Sequence, residues 1–167
     1  MRRIGLLSDT HGFLDPKLQN HFEECHEIWH AGDVGPAAVL DELASWGKDL
    51  RLVYGNIDDH EVRVMTEKDL IFPCEGKTVF MTHIAGYPGR YNGRVKALLT
   101  DQKPDIVVTG HSHILKVIYD KKLDHLHLNP GACGRHGFHQ VRTALRFTID
   151  GTAIRDMQVI ELGSRGR

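Results

Sequence analysis

Five apolar runs in this chain each lead into a polar cluster of aspartate, histidine or asparagine, and the clusters recur at nearly constant intervals. Residues 3–8 run into Asp9, 27–31 into Asp33, 50–54 into Asn56, 77–81 into His83, and 105–109 into His111. The intervals from 9 to 33, 56, 83 and 111 are 24, 23, 27 and 28 residues. A strand and its return connection occupy roughly 30 residues in a βαβ unit, so each cluster can close a different strand. In open α/β sheets the binding crevice lies outside the carboxyl ends of the strands. The five clusters are therefore expected to converge.

Between the runs the pattern changes period. Asp15-Pro16 reads as the start of a helix through Leu18, Phe22 and Cys25. A second helix begins at Pro36, uses Val39, Leu40 and Leu43, and stops near Gly47. Residues 70–72 and 78–80 flank Glu75-Gly76 as a hairpin, and a third helix covers 92–102 ahead of Pro104. The C-terminal part reads as strands at 114–119, 125–128, 142–149 and 152–160. Asp150-Gly151 is expected to form a type I′ turn between the last two. An α/β first half and a strand-rich second half imply a four-layer αββα sandwich of two mixed sheets flanked by helices. His125 and His127 alternate with Leu126 and Leu128 and are expected on an exposed strand face.

A length of 167 residues suits one domain, spanning 1–167, with a single core. No apolar run approaches the roughly 18 residues of a membrane span, and the stretch after Arg3 ends at Ser8, too short for a signal-peptide core. A cytoplasmic location with no membrane partner is the expectation. Cys25, Cys74 and Cys133 are odd in number and lack CxxC spacing, which disfavours both a disulfide framework and a structural zinc site. A net charge of −1 without a basic run argues against a nucleic-acid partner and points to a small substrate. Oligomeric state is not legible.

The clusters have the chemistry of metal ligands. Asp9 and His11 are two residues apart, as are His111 and His113, so in extended backbone each pair leaves from one side and can grip one ion. Asp33 is the candidate bridge, since a carboxylate can offer one oxygen to each of two ions. A mixed oxygen and nitrogen set suits two divalent ions, Mn²⁺ first, with Fe, Ni²⁺ and Zn²⁺ also compatible. Four positive charges exceed those of two aspartates and a hydroxide by about one, which attracts a phosphate anion. Two ions roughly 3.5–4 Å apart would activate a water for in-line attack on a phosphoester.

Asp9-x-His11, Gly32-Asp33, Gly55-Asn56-x-Asp58, His83 and Gly110-His111-x-His113 resemble, in order and spacing, the motifs of the calcineurin-like metallophosphoesterases. The short chain looks like their small prokaryotic phosphodiesterase branch, with the match running from Asp9 to Gly131. The resemblance implies the αββα sandwich, a hydrolase activity, a first metal held by Asp9, His11, Asp33 and His113, and a second held by Asp33, Asn56, His83 and His111. Asp33, Asn56 and His83 then lie nearest the chemistry. The expected function is hydrolysis of phosphodiesters by attack of a metal-bridging hydroxide. The alternatives are a phosphomonoesterase or nucleotide pyrophosphatase, and a catalytically weak scaffold like the trafficking-complex subunit that shares this resemblance.

Two departures from the family pattern stand out. Ile57 occupies the place where many members have a histidine thought to protonate the leaving group, and Thr82-His83-Ile84-Ala85-Gly86 supplies one histidine where many have two. Arg135, His136 and His139 could replace the missing acid. Arg90 and Arg94, with Tyr87, Tyr91 and Asn92, could clasp substrate phosphate or belong to a solvated loop. Asp58 either supports a ligand by hydrogen bonding or shapes the turn after Asn56. His30 reads as a core histidine.

Overall fold

The computed structural model describes residues 1–166. Strands β1 (Arg2–Leu7), β2 (Glu27–His30) and β3 (Asp49–Leu52) pair in parallel, each joined to the next through a helix, α1 (Lys17–His21) and then α2 (Ala38–Ser45). Helix α3 (His60–Met65) leads to the hairpin β4 (Asp69–Cys74) and β5 (Lys77–Thr82). Helix α4 (Gly93–Gln102) is followed by β6 (Ile106–Val108), β7 (Leu115–Asp120), β8 (His125–Pro130), β9 (Val141–Asp150) and β10 (Ala153–Ser164). One sheet has the order β10-β9-β1-β2-β3 and the other β4-β5-β6-β8-β7. Both are mixed, as the αββα expectation requires: β1-β2-β3 and β5-β6-β8 are parallel, and the outer pairings β1-β9, β9-β10, β4-β5 and β7-β8 are antiparallel.

The two sheets share a core in which Ile4, Leu6 and Trp29 of the first meet Phe72, Val79, Met81, Val108 and Leu128 of the second. The Trp29 ring stands edge-on to Phe72 at 5.2 Å and to Phe147 at 5.7 Å, and its indole N–H donates to Glu27 Oε2 at 2.9 Å. Truncating so large a buried ring costs about 3–5 kcal/mol. A second cluster, with Leu18, Phe22, Leu40 and Leu43, joins α1 and α2 to the outer face of the first sheet.

Several expectations change in detail. Helix α1 ends at His21 rather than running to Cys25; Phe22 is its C-cap, and Cys25 N–H donates to the Phe22 carbonyl in a further turn. Leu18, Phe22 and Cys25 still bury together, so the helical spacing recorded a shared apolar face and not the helix length. Helix α3 went unread because its six residues bury only Val62, leaving no periodic stripe; its signal is Asp59, the N-cap, whose carboxylate accepts from Val62 N. At the last hairpin Asp150 is still paired, opposite Ala153, and positive φ falls on Gly151 alone, as in a type II′ turn rather than type I′.

His125 and His127 are not exposed. Each has 1% of its surface accessible. Their strand lies inside its sheet, and Tyr91 covers the face they occupy, its hydroxyl 2.8 Å from His125 Nε2 and 2.7 Å from His127 Nδ1. Burial pushes His127 down to about 4, so it stays neutral at physiological pH.

Candidate functional site

All seven predicted ligand residues follow the carboxyl ends of parallel strands. Asp9 and His11 lie just beyond β1, Asp33 beyond β2, Asn56 beyond β3, His83 beyond β5, and His111 and His113 beyond β6. Both sheets therefore contribute. Five of these residues, Asp9, His11, Asp33, His111 and His113, have positive φ, between 46° and 70°. L-residues with side chains visit this region at a cost of order 1–3 kcal/mol, and such strain persists where surrounding structure over-determines it. Here backbone hydrogen bonds between loops do so. His11 N–H donates to the Asp33 carbonyl at 3.0 Å, Asp9 N–H to the Gly32 carbonyl at 2.9 Å, and Gly110 N–H to the His83 carbonyl at 3.1 Å.

The side chains form two groups, Asp9 with His11 and His113, and Asp33 with His83 and His111. His113 Nε2 is 3.2 Å and His11 Nε2 3.8 Å from Asp9 Oδ1. Asp33 Oδ2 lies between the groups, 3.5 Å from His11 Nε2 and 3.2 Å from His83 Nε2. Asn56 Oδ1 is 3.1 Å from His111 Nδ1. Ligands about 2.1 Å from one ion stand no more than roughly 4.2 Å apart, and these separations fit.

A second observation concerns polar atoms without partners. Asp9 Oδ1, His11 Nε2 and His83 Nε2 are buried and hydrogen-bonded to nothing, although an unsatisfied buried polar atom costs about 1–3 kcal/mol. All three face the volume between the two groups, where cations held by those groups would satisfy them. A hydrogen bond on the far side of the His83 ring leaves its lone pair free. His83 Nδ1 donates to the Ala31 carbonyl at 2.7 Å, so its Nε2 carries the lone pair when the ring is neutral. Burial opposes a charge on His83, but Asp33 and Asp9 outweigh it and raise its pKa. Burial also opposes ionisation of Asp9, yet His11, His113, His83 and Ser8 hold its carboxyl well below the usual range.

Glycine is required in the two loops that meet Asp33. A Cβ on Gly32 would stand 2.5 Å from His83 Nδ1, and one on Gly55 would overlap the Asp33 carboxylate. Asp58 both shapes its turn and supports the site: its carboxylate accepts from Gly55 N at 2.8 Å, Val34 N at 3.1 Å and Gly35 N at 2.9 Å, joining the Asn56 loop to the Asp33 loop. His30 is a core histidine, wholly buried and pushed down to about 4 by burial, with Nδ1 accepting from Gly32 N. Asn129 is a supporting residue that the sequence reading gave no role. Its amide donates to the Gly110 carbonyl and to Ser112 Oγ, both at 3.1 Å, which fixes the loop of His111 and His113.

The four substrate candidates separate. His136 stacks 4.8 Å from His11 and so stands at the site. Arg135 lies over the Phe13 ring at 3.9 Å. Arg94 is paired with Asp69 at 2.6 and 3.2 Å, and it lines a cavity with Asn56 and His83. Arg90 lies on a turn closed by its own amide and is outside that cavity. Asn92 is the N-cap of α4, accepting from Val95 N at 2.9 Å. Ile57 is at the site, half-exposed, with its amide donating to Asp33 Oδ1 at 3.1 Å, but its side chain carries no proton. The cysteines are all buried, and burial pushes Cys133 up to about 12, so none competes as a ligand.

Comparison with known proteins places these features in a family. The model of the calcineurin-like phosphoesterase superfamily domain matches residues 1–152. A probable metallophosphoesterase of Methanothermobacter thermautotrophicus is 28% identical over 136 residues, covering 77% of this chain and 76% of its own length. Among solved structures, an archaeal phosphodiesterase superposes with a TM-score of 0.74 at 21% identity, over 95% of this chain and 99% of its own. The Vps29 protein of Chaetomium thermophilum superposes with a TM-score of 0.75 at 16% identity, over 96% and 95%.

Proposed function

This chain belongs to the calcineurin-like phosphoesterase superfamily, and from that premise we propose that it is a dinuclear metal-dependent phosphodiesterase. The observation that carries the proposal is the pair of ligand groups meeting at Asp33, with orphaned buried atoms of Asp9, His11 and His83 facing inward. Asp9, His11, Asp33 and His113 would hold one ion, and Asp33, Asn56, His83 and His111 the other, with Mn²⁺ the first choice for both. Two divalent ions bound there would lower the pKa of a water and polarise the phosphoryl oxygens.

The protein's own contribution is placement and charge. Asp33 stays ionised at neutral pH despite burial, which favours its neutral form, because His83 and the Ile57 amide lower its pKa. The Ala31 carbonyl fixes the His83 ring, so its Nε2 needs no reorganisation on binding. A loaded site with about one residual positive charge matches a diester monoanion, and the apolar Ile57 favours substrates whose leaving group needs no proton. The three free, buried cysteines accord with a cytoplasmic setting.

Turnover of bis(4-nitrophenyl) phosphate with added Mn²⁺, abolished by chelation, is the expected result. Hydrolysis of 4-nitrophenyl phosphate but not the diester would support the phosphomonoesterase alternative. The Vps29 likeness and Ile57 favour a scaffold as the second reading, and metal binding without turnover of either ester would support it.

A further inference from the structure

A cavity of about 210 Å³ opens directly beside Asn56 and His83, and its wall carries three cations, Arg63, Lys68 and Arg94. They come from separate parts of the fold: α3, the connection before β4, and α4. Among the described residues no acidic side chain lines the cavity. Arg94 is neutralised by Asp69. Among the described residues neither Arg63 nor Lys68 forms an ion pair, so the wall holds two uncompensated positive charges next to the ligand groups.

Arg63 is built into the site's scaffold. Its Nε donates to the Asp58 carbonyl at 2.7 Å, and its guanidinium lies 4.7 Å over the Tyr54 ring. Asp58 is the residue whose carboxylate joins the Asn56 and Asp33 loops. With Nε committed and the plane stacked, the terminal nitrogens of Arg63 remain as a fork of donors suited to phosphate oxygens. Lys68 adds a mobile point charge. Such a wall would recognise an anion on the part of the substrate remote from the cleaved bond.

We propose that this cavity is a subsite for a second phosphate, so that the preferred substrates are phosphodiesters carrying an additional phosphomonoester group. The proposal rests on the phosphodiesterase reading for its substrate. Its binding test stands independently.

Two probes share one leaving group: thymidine 5′-(4-nitrophenyl phosphate) and the same ester with a 3′-phosphate. The phosphorylated probe should have a kcat/KM about ten-fold higher, expressed mainly in KM, as expected for a charge-assisted contact remote from the reacting bond. In Arg63→Gln and Lys68→Gln the ratio between the probes should fall toward one, whereas Lys122→Gln, which removes a distant cation, should preserve it. In parallel, calorimetry on the Mn²⁺-loaded protein should show thymidine 3′,5′-bisphosphate binding about ten-fold more tightly than the 5′-monophosphate, with the same dependence on Arg63 and Lys68. Equal binding of the two nucleotides, or a preference that survives both substitutions, overturns the subsite. If neither ester is hydrolysed while the bisphosphate preference and its dependence on both residues hold, the phosphodiesterase reading fails and the subsite stands.

Discussion

The Nδ1 atoms of His113 and His139 lie 3.3 Å apart, and His139 Nε2 is 2.8 Å from the Gly134 carbonyl. The carbonyl can only accept, so His139 carries its proton on Nε2 and receives one from His113 at Nδ1. This leaves His113 Nε2 bare and facing Asp9 Oδ1 at 3.2 Å. One backbone carbonyl thus sets the tautomer of a candidate ligand two rings away. Such supporting partners are worth typically 10–100-fold in metal affinity. His139→Ala should weaken metal binding by about that factor in calorimetry on metal-stripped protein; unchanged affinity would remove His139 from this role.

The same pairing narrows the search for a general acid. Both nitrogens of His139 are engaged, whereas His136 stacks beside His11 with an exposed ring. Ile57 offers no proton, so the rate should depend steeply on the leaving group's own pKa. A placed acid contributes typically 10²–10⁴-fold, which sets the expected advantage of aryl over alkyl diesters. Ile57→His should narrow that gap if the new imidazole reaches the leaving oxygen. Similar chemical-step rates for aryl and alkyl esters in the unaltered protein would instead call for His136→Ala.

Stability should fall on mild acidification. Burial lowers His30 and His127 from 6.5 to about 4, so between these values the unfolded chain binds protons that the folded chain refuses. Their contribution is fully present above pH 6.5 and lost as pH falls toward 4, up to roughly 3 kcal/mol each. His83 has the opposite sign in metal-stripped protein. Its raised pKa stabilises below about 6.5, and that contribution is lost as pH rises through the folded value. The lowered histidines outnumber the raised one, since burial also lowers His111, His125 and His139. The urea midpoint of stripped protein should therefore drop between pH 7 and 5, and a flat profile would contradict the buried-neutral assignment.

Where the sequence was legible, several signals agreed. Asp9, Asp33, Asn56, His83 and His111 each ended an apolar run, and recurrence at a near-constant interval could only mean strand ends on one edge. Charge-lined features were harder to see. Arg63 and Lys68 lie on and after a helix too short to show periodicity, and their proximity to Asn56 and His83 depends on α3 folding back over the Asn56 loop. The misreading of His125 and His127 has a tertiary cause: alternation shows that two faces differ, not whether Tyr91 will cover one. Asn129 supports the site through a carbonyl 19 residues away, a contact without a local pattern.

The central claim is that Asp33 joins two metal sites, and metal content by elemental analysis after loading and desalting tests it most directly. The unaltered chain should carry two ions, His83→Ala about one, and Asp33→Ala neither, because the bridge serves both coordination spheres. Retention of two ions by Asp33→Ala, or a single ion in the unaltered chain, would contradict the account.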